Sequence, residues 1–281
     1  MPLDFANIVP ENNLRLPDAI TIKHGPARLL APFLLESDKA ARRIGVSLRI
    51  RYDFDELLAV NDQYSRSGKW YPLLDSFNPE RATLTPENGF WVSGENEDGE
   101  IVVTWAARIF NWQNTNFADQ ARSVWYGRDT GQPCVVTAEA AKRITGVVAC
   151  AGASWVRPDF RGRHLSHLIP RVGKAYACSR WPLDWAVGYI GRNNVDKGLA
   201  NSYGQRNLSY SVFYPGSPHG EQVLSYTAVA DVYADLTTFL ATEFSRIAPA
   251  VTEEPSLDVV LEHIVTNTSS DGVFHGSISR S

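Results

Sequence analysis

The sequence predicts a mixed α/β fold, and three observations support that prediction. Segments that alternate apolar and polar residues, as half-buried strands do, are interleaved with segments whose apolar residues recur at helical spacing. Asp98 and Gly99 form a hairpin turn signal between two β-rich arms, which predicts antiparallel strands on one side of the sheet. Farther along, a buried strand over 144–156 ends in a turn and leads into a long helix over 161–181.

The first third of the chain alternates helix and strand. Apolar residues at helical spacing predict a helix over 27–43, with Pro32 near its start. Alternating residues predict a strand over 46–52, and an acidic first turn predicts a second helix over 53–68. The two arms of the hairpin lie within 89–112.

The remaining segments continue the mixed pattern. Residues 113–143 are too long and too polar for a simple connection, so we expect an excursion placed where it could cover a site. After the long helix, whose Pro170 predicts a kink, we expect a strand over 183–190, a short helix over 194–205, strands over 208–214 and 222–229, and a helix over 231–248.

Composition and charge exclude several classes of protein. The chain has 281 residues, a formal net charge of -4 and a pI near 5.9, which argues against a general nucleic-acid or membrane-surface binder. Cys134, Cys150 and Cys178 form neither a CxxC motif nor a Cys/His cluster, so no disulfide framework or zinc site is expected. The N-terminal residues lack the pattern of a signal peptide, and no apolar run approaches the ~20 residues that span a bilayer. We expect a cytoplasmic protein.

The turn at residues 155–166 concentrates positive charge where a helix begins. It reads WVRPDFRGRHLS and contains Arg157, Arg161 and Arg163. A helix N-terminus presents unpaired backbone N–H groups and a positive dipole end, so this turn can hold a phosphate group. The alternative is that the arginines are solvated and face acidic neighbours.

This turn resembles motif A of the GNAT superfamily of N-acyltransferases. The matching residues, in register, are Val156, Pro158, Phe160, Arg161, Gly162 and Leu165. The resemblance implies a GNAT-like acyl-CoA N-acyltransferase domain over 46–229 with 113–143 as an insertion. Residues 1–45 would then be an N-terminal helical extension, and residues 230–281 a C-terminal helix and tail.

The resemblance also implies a binding site for acetyl-CoA as co-substrate. Its residues would be Trp155, Val156, Arg161, Gly162, Arg163, His164, Leu165 and Ser166. His164 and Ser166 stand where the family usually has glycines. The His164 ring could swing away, donate to the bound anion, or block the phosphate site.

Two residues are candidates for catalysis. A second, more local resemblance to the family's fourth helix places Tyr203 as the proton donor to the departing coenzyme thiolate; the alternative is a tyrosine that packs in the core. Asp184, at the head of the strand after the motif helix, and Glu139 are the carboxylates available as a general base. Asp184 could instead cap the start of its strand, and a water relay could replace a base.

Other residues with chemical potential fit less specific roles. His164 and His167 are three residues apart on the motif helix, but no third ligand accompanies them, so no metal site is expected. Four tryptophans on the hairpin and the excursion are either core residues or the lining of an acceptor pocket: Trp91, Trp105, Trp112 and Trp125.

The sequence thus predicts an N-acetyltransferase that transfers the acetyl group of acetyl-CoA to a small-molecule or peptide amine. No nucleic-acid or membrane partner is expected, and the oligomeric state stays open, with a homodimer as one alternative. A catalytically silent CoA-binding module of the same fold is the first rival. An acyltransferase that uses another donor, such as aminoacyl-tRNA, is the second, and the acidic pI argues against it.

Overall fold

A computed structural model describes residues 13–126, 134–214 and 222–244 of the chain. The chain divides into two compact units, Met1–Ile247 and Ala248–Ser281, and the second lies outside the described residues. The last part of the predicted 231–248 helix and the predicted tail also lie outside them.

The described strands form one sheet. In chain order they are β1 (Asn13–Arg15), β2 (Ser47–Arg51), β3 (Gly89–Glu95), β4 (Ile101–Trp112), β5 (Val135–Val136), β6 (Gly146–Val156), β7 (Trp185–Gly191), β8 (Asn207–Phe213) and β9 (Gln222–Ala228). Their spatial order is β1-β2-β3-β4-β6-β7-β9-β8-β5. Neighbours are antiparallel except for β6 and β7, which are parallel. The predicted mixed α/β class is confirmed.

Helices cover both faces of this sheet. They are α1 (Leu16–Ala19), α2 (Ala27–Arg43), α3 (Phe54–Ser65), α4 (Phe117–Tyr126), α5 (Glu139–Arg143), α6 (Leu165–Arg180), α7 (Arg192–Asp196), α8 (Leu199–Ser202) and α9 (Val229–Thr242). Ala149 of β6 belongs to the buried cluster that contains α2, α6 and α9, whereas Val148 and Cys150 belong to a cluster with α4. Because successive strand residues point to opposite faces, the two clusters lie on opposite sides of the sheet.

Local sequence explains several element boundaries. The α2 helix keeps the predicted bounds because its apolar face, including Leu30, Phe33 and Leu34, is fully buried, while Pro32 is tolerated near the start. Asp53 caps α3, since its carboxylate accepts from the backbone N–H groups of the second and third residues. The β3–β4 hairpin is confirmed, and Gly99 takes the positive φ of 77° that its turn requires.

Two predicted segments differ from the structure. The 113–143 excursion contains α4, β5 and α5, and its described part packs against the sheet without lining a cavity described below. The single short helix predicted over 194–205 is two helices, α7 and α8. They are separated at Gly198, whose φ of 80° is incompatible with a continuous right-handed helix.

Within the described residues, no helix combines the length and the apolar character needed to cross a bilayer.

Candidate active site

The candidate site lies where the two parallel strands separate. Residues 148–151 of β6 pair with residues 185–188 of β7. The described pairing stops there, although both strands continue. At this point β6 contains an extra residue relative to β4, because Thr104 pairs with Trp155 while Ala106 pairs with Gly152. Such a bulge bends and twists its strand, so it directs the end of β6 away from β7.

The bulge is held by specific contacts. Ala153 adopts a left-handed φ of 49°, which costs an L-amino acid about 1 kcal/mol or more. The hydroxyl of Thr104 donates to the Ala153 carbonyl at 2.7 Å and satisfies an acceptor that the irregular pairing frees. The Phe77 ring fills the space where a Cβ on Gly152 would lie. These contacts therefore hold the end of β6 in the direction that leads away from β7.

Two connected cavities occupy the gap. The outer groove, of about 940 Å³, is bounded by the ends of β6 and α3, the 68–72 segment, the first turn of α6 and the start of α8. The inner chamber, of about 360 Å³, lies between the 70–74 segment, the β6 bulge and the end of β7. Both are lined by Trp70, Tyr71, Pro72, Ser154, Asn194, Leu199 and Tyr203.

The outer groove ends at the start of α6. Gly162 and His164 have left-handed φ values of 80° and 60°, and α6 begins at Leu165. Among the described residues, no side chain caps α6 and no acceptor bonds the backbone N–H groups of residues 162–166. These N–H groups and the positive end of the helix dipole form a site suited to an anion.

The three arginines of the turn have different environments. Arg161 is exposed and lines the outer groove, and among the described residues its guanidinium donates to the Val156 carbonyl alone, at 3.3 Å. Arg163 lies over the Phe160 ring at 4.2 Å and does not line the groove.

Arg157 has a structural role in the turn. Its guanidinium donates to Asp159 at 2.8 Å through two nitrogens and to Glu100 at 2.7 Å, and these carboxylates raise the pKa of Arg157. Because the Arg157 side chain is only 16% exposed and is held by two carboxylates, it is committed to the turn, and Arg161 is the one of the three that lines the groove.

The structure brings most of the residues of the predicted binding site together. Those that line the outer groove are Trp155, Val156, Arg161, Gly162, His164, Leu165 and Ser166. Trp155 is itself only 5% exposed, with its ring stacked on Trp70 at 5.0 Å and its indole N–H donating to the Lys69 carbonyl at 3.2 Å. This stack attaches the 68–72 segment to β6 and makes it a wall of the groove.

Tyr203 lies where the two cavities meet. Its hydroxyl oxygen accepts a hydrogen bond from Ser154 Oγ at 3.2 Å, so the phenol keeps its own proton for another acceptor. Burial raises the pKa of Tyr203, and the bond from Ser154 opposes that shift. The phenol is therefore protonated at neutral pH and faces the space between the separated strands.

Buried cations of α6 hold the backbone that carries Tyr203. Lys174 Nζ donates to the Tyr203 carbonyl at 2.8 Å, and Arg171 Nη1 donates to the carbonyls of Ser202 and His167, each at 2.7 Å. Arg171 is in turn paired with Asp235 of α9 at 2.8 Å. One guanidinium therefore connects the first turn of α6 to the turn that positions the phenol.

Asp184 is not brought to either cavity. It precedes β7 at the end opposite the gap, where its Oδ2 accepts from the Val147 N–H at 2.8 Å and its own backbone N–H donates to the Val147 carbonyl at 2.8 Å. The seven residues of β7 run from the position after Asp184 to Gly191, which places the two roughly 20 Å apart. Glu139 is also remote, exposed in α5 and paired with Lys142. These placements favour the strand-capping alternative for Asp184.

The remaining candidates fall into two groups. Trp91, Trp105, Trp112 and Trp125 are at most 5% exposed and line neither cavity, so of the two alternatives the structure supports core residues and not the lining of an acceptor pocket. His164 and His167 do line the outer groove, with ring centroids 5.7 Å apart. Burial, Arg171 and His164 lower the pKa of His167. No group of three metal-ligating side chains occurs among the described residues.

Comparisons with known proteins give the following similarities. No family model matches the sequence, and no curated protein matches it. Among solved structures, the chain is similar to Arabidopsis thaliana NAA60 in complex with acetyl-CoA, at 12% identity and a TM-score of 0.44, over 66% of this chain and 99% of that one. It is also similar to FeeM, an N-acyl amino acid synthase from uncultured soil microbes, at 14% identity and a TM-score of 0.42, over 68% of this chain and 94% of FeeM.

A third similar structure is a GNAT superfamily phosphinothricin acetyltransferase from Sinorhizobium meliloti in complex with acetyl-CoA. It shares 13% identity and a TM-score of 0.39, over 66% of this chain and 88% of the transferase. The predicted resemblance to GNAT acyltransferases is thus confirmed, as a likeness of fold alone. At these identities and TM-scores, it carries no substrate or mechanism to this chain.

Proposed function

We propose that this chain is an acyl-CoA-dependent N-acyltransferase that transfers the acetyl group of acetyl-CoA to a primary amine. One observation carries the proposal: an uncapped helix N-terminus opens onto the gap between two separated parallel strands, and a protonated phenol lies at the inner end of that gap. The helix end suits a pyrophosphate, the gap suits an extended arm, and the phenol suits a leaving thiolate.

The α6 turn would hold the pyrophosphate of the coenzyme. Gly162, His164, Leu165 and Ser166 of this turn line the outer groove, and Arg161 supplies a guanidinium beside them. Lys69 and Lys197 also line the groove and add positive charge. These two lysines were missed by the sequence reasoning, because only the fold brings the 68–72 segment and the α7–α8 turn to this surface.

The pantetheine arm would lie between the separated strands. Beyond Ala151, the side of β6 that faces β7 has no strand partner among the described residues, so the backbone groups of Ser154 and the N–H of Val156 are available to the amides of the arm. The thioester would then reach the place where the two cavities meet, beside Tyr203.

The chemistry follows from that placement. The amine nitrogen attacks the thioester carbonyl carbon, a C–N bond forms and the C–S bond breaks. The thiolate takes a proton from Tyr203, and water that accepts the proton lost by the amine returns one to Tyr203. No carboxylate among the described residues lines either cavity, so the acceptor enters as the free base or loses its proton to water or to an imidazole of the outer groove, His164 or His167.

A catalytically silent coenzyme-binding module is the second candidate. The absence of a carboxylate in the described lining favours it, and so does His164, whose side chain stands at a position where a glycine would leave the phosphate site open. Tyr203 favours the enzyme, because a binding module has no need of a phenol held in place by Lys174 and Ser154.

Calorimetry with acetyl-CoA, followed by a panel of primary amines with detection of the released thiol, separates the two candidates. We expect binding together with amine-dependent thiol release. Binding without release for any amine would favour the silent module, and no binding of acetyl-CoA would overturn both. Running the titration with dephospho-CoA as well as acetyl-CoA separates the contribution of the 3′-phosphate from that of the pyrophosphate.

We also expect a reducing, cytoplasmic location, because all three cysteines are free in the structure.

A further inference from the structure

The charge of the inner chamber limits the acceptor, and the inference drawn from it rests on the proposed function. Among the described residues, the chamber is lined by one cationic side chain, Arg192, and by no Asp or Glu. The described lining of the outer groove likewise has basic side chains, among them Lys69, Arg161 and Lys197, and no carboxylate. The described walls of the whole cleft thus favour anions over cations.

Arg192 is placed to receive a carboxylate. It follows directly on Gly191, the last residue of β7, and so stands at the rim of the gap. Its Nε donates to both carboxylate oxygens of Asp196, at 3.0 and 3.2 Å, but the two side chains of this pair are 44% and 55% exposed. Exposed pairs of this kind contribute little, so a ligand carboxylate can compete with Asp196 for this guanidinium.

A neighbouring ring orients this guanidinium. The Tyr210 ring lies 4.8 Å from Arg192 Cζ, which stabilises the cation by a cation–π contact and restricts its movement. A guanidinium restricted in this way can offer two parallel N–H groups to a carboxylate, a geometry that a lysine cannot reproduce.

The interior of the chamber suits an apolar group. Beyond the rim, its walls include Trp70, Leu73, Leu74, Ile190 and Leu199. The polar lining groups are neutral amides and hydroxyls: Ser154, Asn193, Asn194, Tyr189, Tyr203 and Gln222. An apolar side chain can therefore enter beside neutral hydrogen-bonding groups, whereas a second ammonium group would be desolvated without a counter-charge.

We propose that the acceptor is a small amine that bears a carboxylate next to the amino group and an apolar side chain, the chemical class of the apolar α-amino acids. Arg192 binds the carboxylate at the rim, the walls of the chamber take the side chain, and the amino group faces the thioester beside Tyr203. The product is an N-acetyl amino carboxylate, formed with release of free coenzyme thiol. A polyamine lacks the group that Arg192 binds and adds cations that the described walls do not compensate.

The test compares acceptors that differ only in the carboxylate. Thiol release from acetyl-CoA is measured with leucine, 3-methylbutylamine and spermidine, and kcat/KM is expressed per concentration of free base, because the carboxylate changes the pKa of the amine. In the parent chain we expect leucine to exceed 3-methylbutylamine by about 10-fold or more, the usual worth of a charge-assisted contact. Spermidine should be the poorest of the three.

Two variants locate the origin of that preference. Arg192→Gln should reduce the ratio of leucine to 3-methylbutylamine to about 1, since Gln keeps a polar amide but lacks the guanidinium and its charge. Arg66→Gln is the matched control, because Arg66 forms a similar exposed (i, i+4) pair with Asp62 but lines neither cavity. This control should keep the parent ratio.

Several outcomes would overturn the inference. They are a preference for spermidine, equal kcat/KM for leucine and 3-methylbutylamine, or a ratio that survives Arg192→Gln. If no amine is acetylated although acetyl-CoA binds, the proposed function fails, and calorimetry of the coenzyme-bound chain decides the inference separately. Tighter binding of leucine than of 3-methylbutylamine would support it there, and equal binding would overturn it.

Discussion

The two ends of the β6–β7 pair have opposite properties although the same two strands form both. At the closed end, Val148–Ala151 pair with Trp185–Gly188, and the Asp184 carboxylate accepts from the next backbone N–H of β6. At the open end, the pairing stops, a bulge at Ala153 turns β6 outward, and Tyr203 faces the gap. The change from one end to the other coincides with one extra residue in β6.

This contrast assigns different roles to residues that look alike in the sequence. A carboxylate at the closed end satisfies a backbone donor, whereas the phenol at the open end has a bond that leaves its proton free. Within the turn at the open end, the arginines also differ: Arg157 is paired with two carboxylates, whereas Arg161 lines the outer groove. Position relative to the gap, more than residue type, decides which side chains can take part in chemistry.

The largest expected effect is at the open end. Tyr203→Phe removes only the hydroxyl, so we expect turnover to fall by about 10²-fold, the lower end of what general-acid catalysis contributes. The dissociation constant of acetyl-CoA should barely change. Tyr226→Phe, at a tyrosine that lines neither cavity, is the control. Parent-like turnover of Tyr203→Phe with a good acceptor would make Tyr203 a packing residue.

A pH effect should follow from the lysine that supports Tyr203. Burial lowers the pKa of Lys174 from its ordinary 10.5 to about 8. Between these values the unfolded chain binds a proton that the folded chain does not, so the free energy of unfolding rises with pH over this window. Relative to Lys174→Met, the parent should gain roughly 1.4 kcal/mol per pH unit from pH 8 to 10.5 and nothing below pH 8.

Urea unfolding of both proteins across this pH range measures that difference. If the two stability curves run parallel from pH 8 to 10.5, Lys174 is not the buried cation that the structure describes. Loss of turnover in Lys174→Met with unchanged acetyl-CoA binding would further connect the lysine to the position of Tyr203.

Substitution of the arginines in the α6 turn should change the affinity for acetyl-CoA by a smaller factor. Arg161→Ala removes the guanidinium that lines the outer groove, and we expect acetyl-CoA to bind about 10-fold more weakly. Arg163→Ala, in the same turn but stacked on Phe160, should weaken binding less. Equal losses in calorimetry would mean that the turn acts only through its summed charge, and no loss in either variant would place the pyrophosphate elsewhere.

The sequence predicted the elements of this site better than their arrangement. The helical periodicity after residue 161 and the glycine at 162 placed the start of α6 within a few residues of Leu165. The segment that walls the groove was not foreseen, because the contact between Lys69 and Trp155 joins residues 86 apart in the chain. No local pattern encodes a contact of that range.

Asp184 illustrates an error that chain order alone could have exposed. A parallel strand runs in the same direction as its neighbour, so its first residues lie beside the start of the motif strand and far from the turn that follows it. Asp184 precedes β7 and therefore belongs to the end opposite the phosphate turn. For the tryptophans, the sequence left core packing and a pocket lining as alternatives, and their large apolar area is explained by burial in the core without a ligand.

Asp184 provides the next test of the comparison. Asp184→Ala removes the acceptor of the Val147 N–H, so the free energy of unfolding should fall by about 1 kcal/mol while turnover stays near the parent value. Asp184→Asn keeps an acceptor oxygen and should restore most of the stability. A general base would show the reverse pattern, since an amide cannot accept the amine proton. Loss of turnover in both variants, at parent-like stability, would return Asp184 to the mechanism.

The smallest predicted effect is on stability. Substitutions in β6 should distinguish the bulge at Ala153 from the regularly paired part of the same strand. Ala153→Gly relieves a left-handed φ of 49° but adds freedom to the unfolded chain, so we expect stability to change by less than about 0.5 kcal/mol. Ala149→Gly, in the paired part of β6, gains no such relief and loses a buried methyl group, so it should cost about 1 kcal/mol. Ala153→Val should also destabilise, because a β-branched residue tolerates positive φ poorly.

Urea unfolding of the three variants, with acetyl-CoA binding as a second measurement, tests whether the bulge forms the gap. If Ala153→Gly costs as much as Ala149→Gly, residue 153 is not in the left-handed conformation and the strand runs straight. In that case β6 would continue beside β7, the gap would close, and the coenzyme arm would need another path. If only Ala149→Gly and Ala153→Val lose stability, the extra residue at 153 is the feature that separates the open end from the closed one.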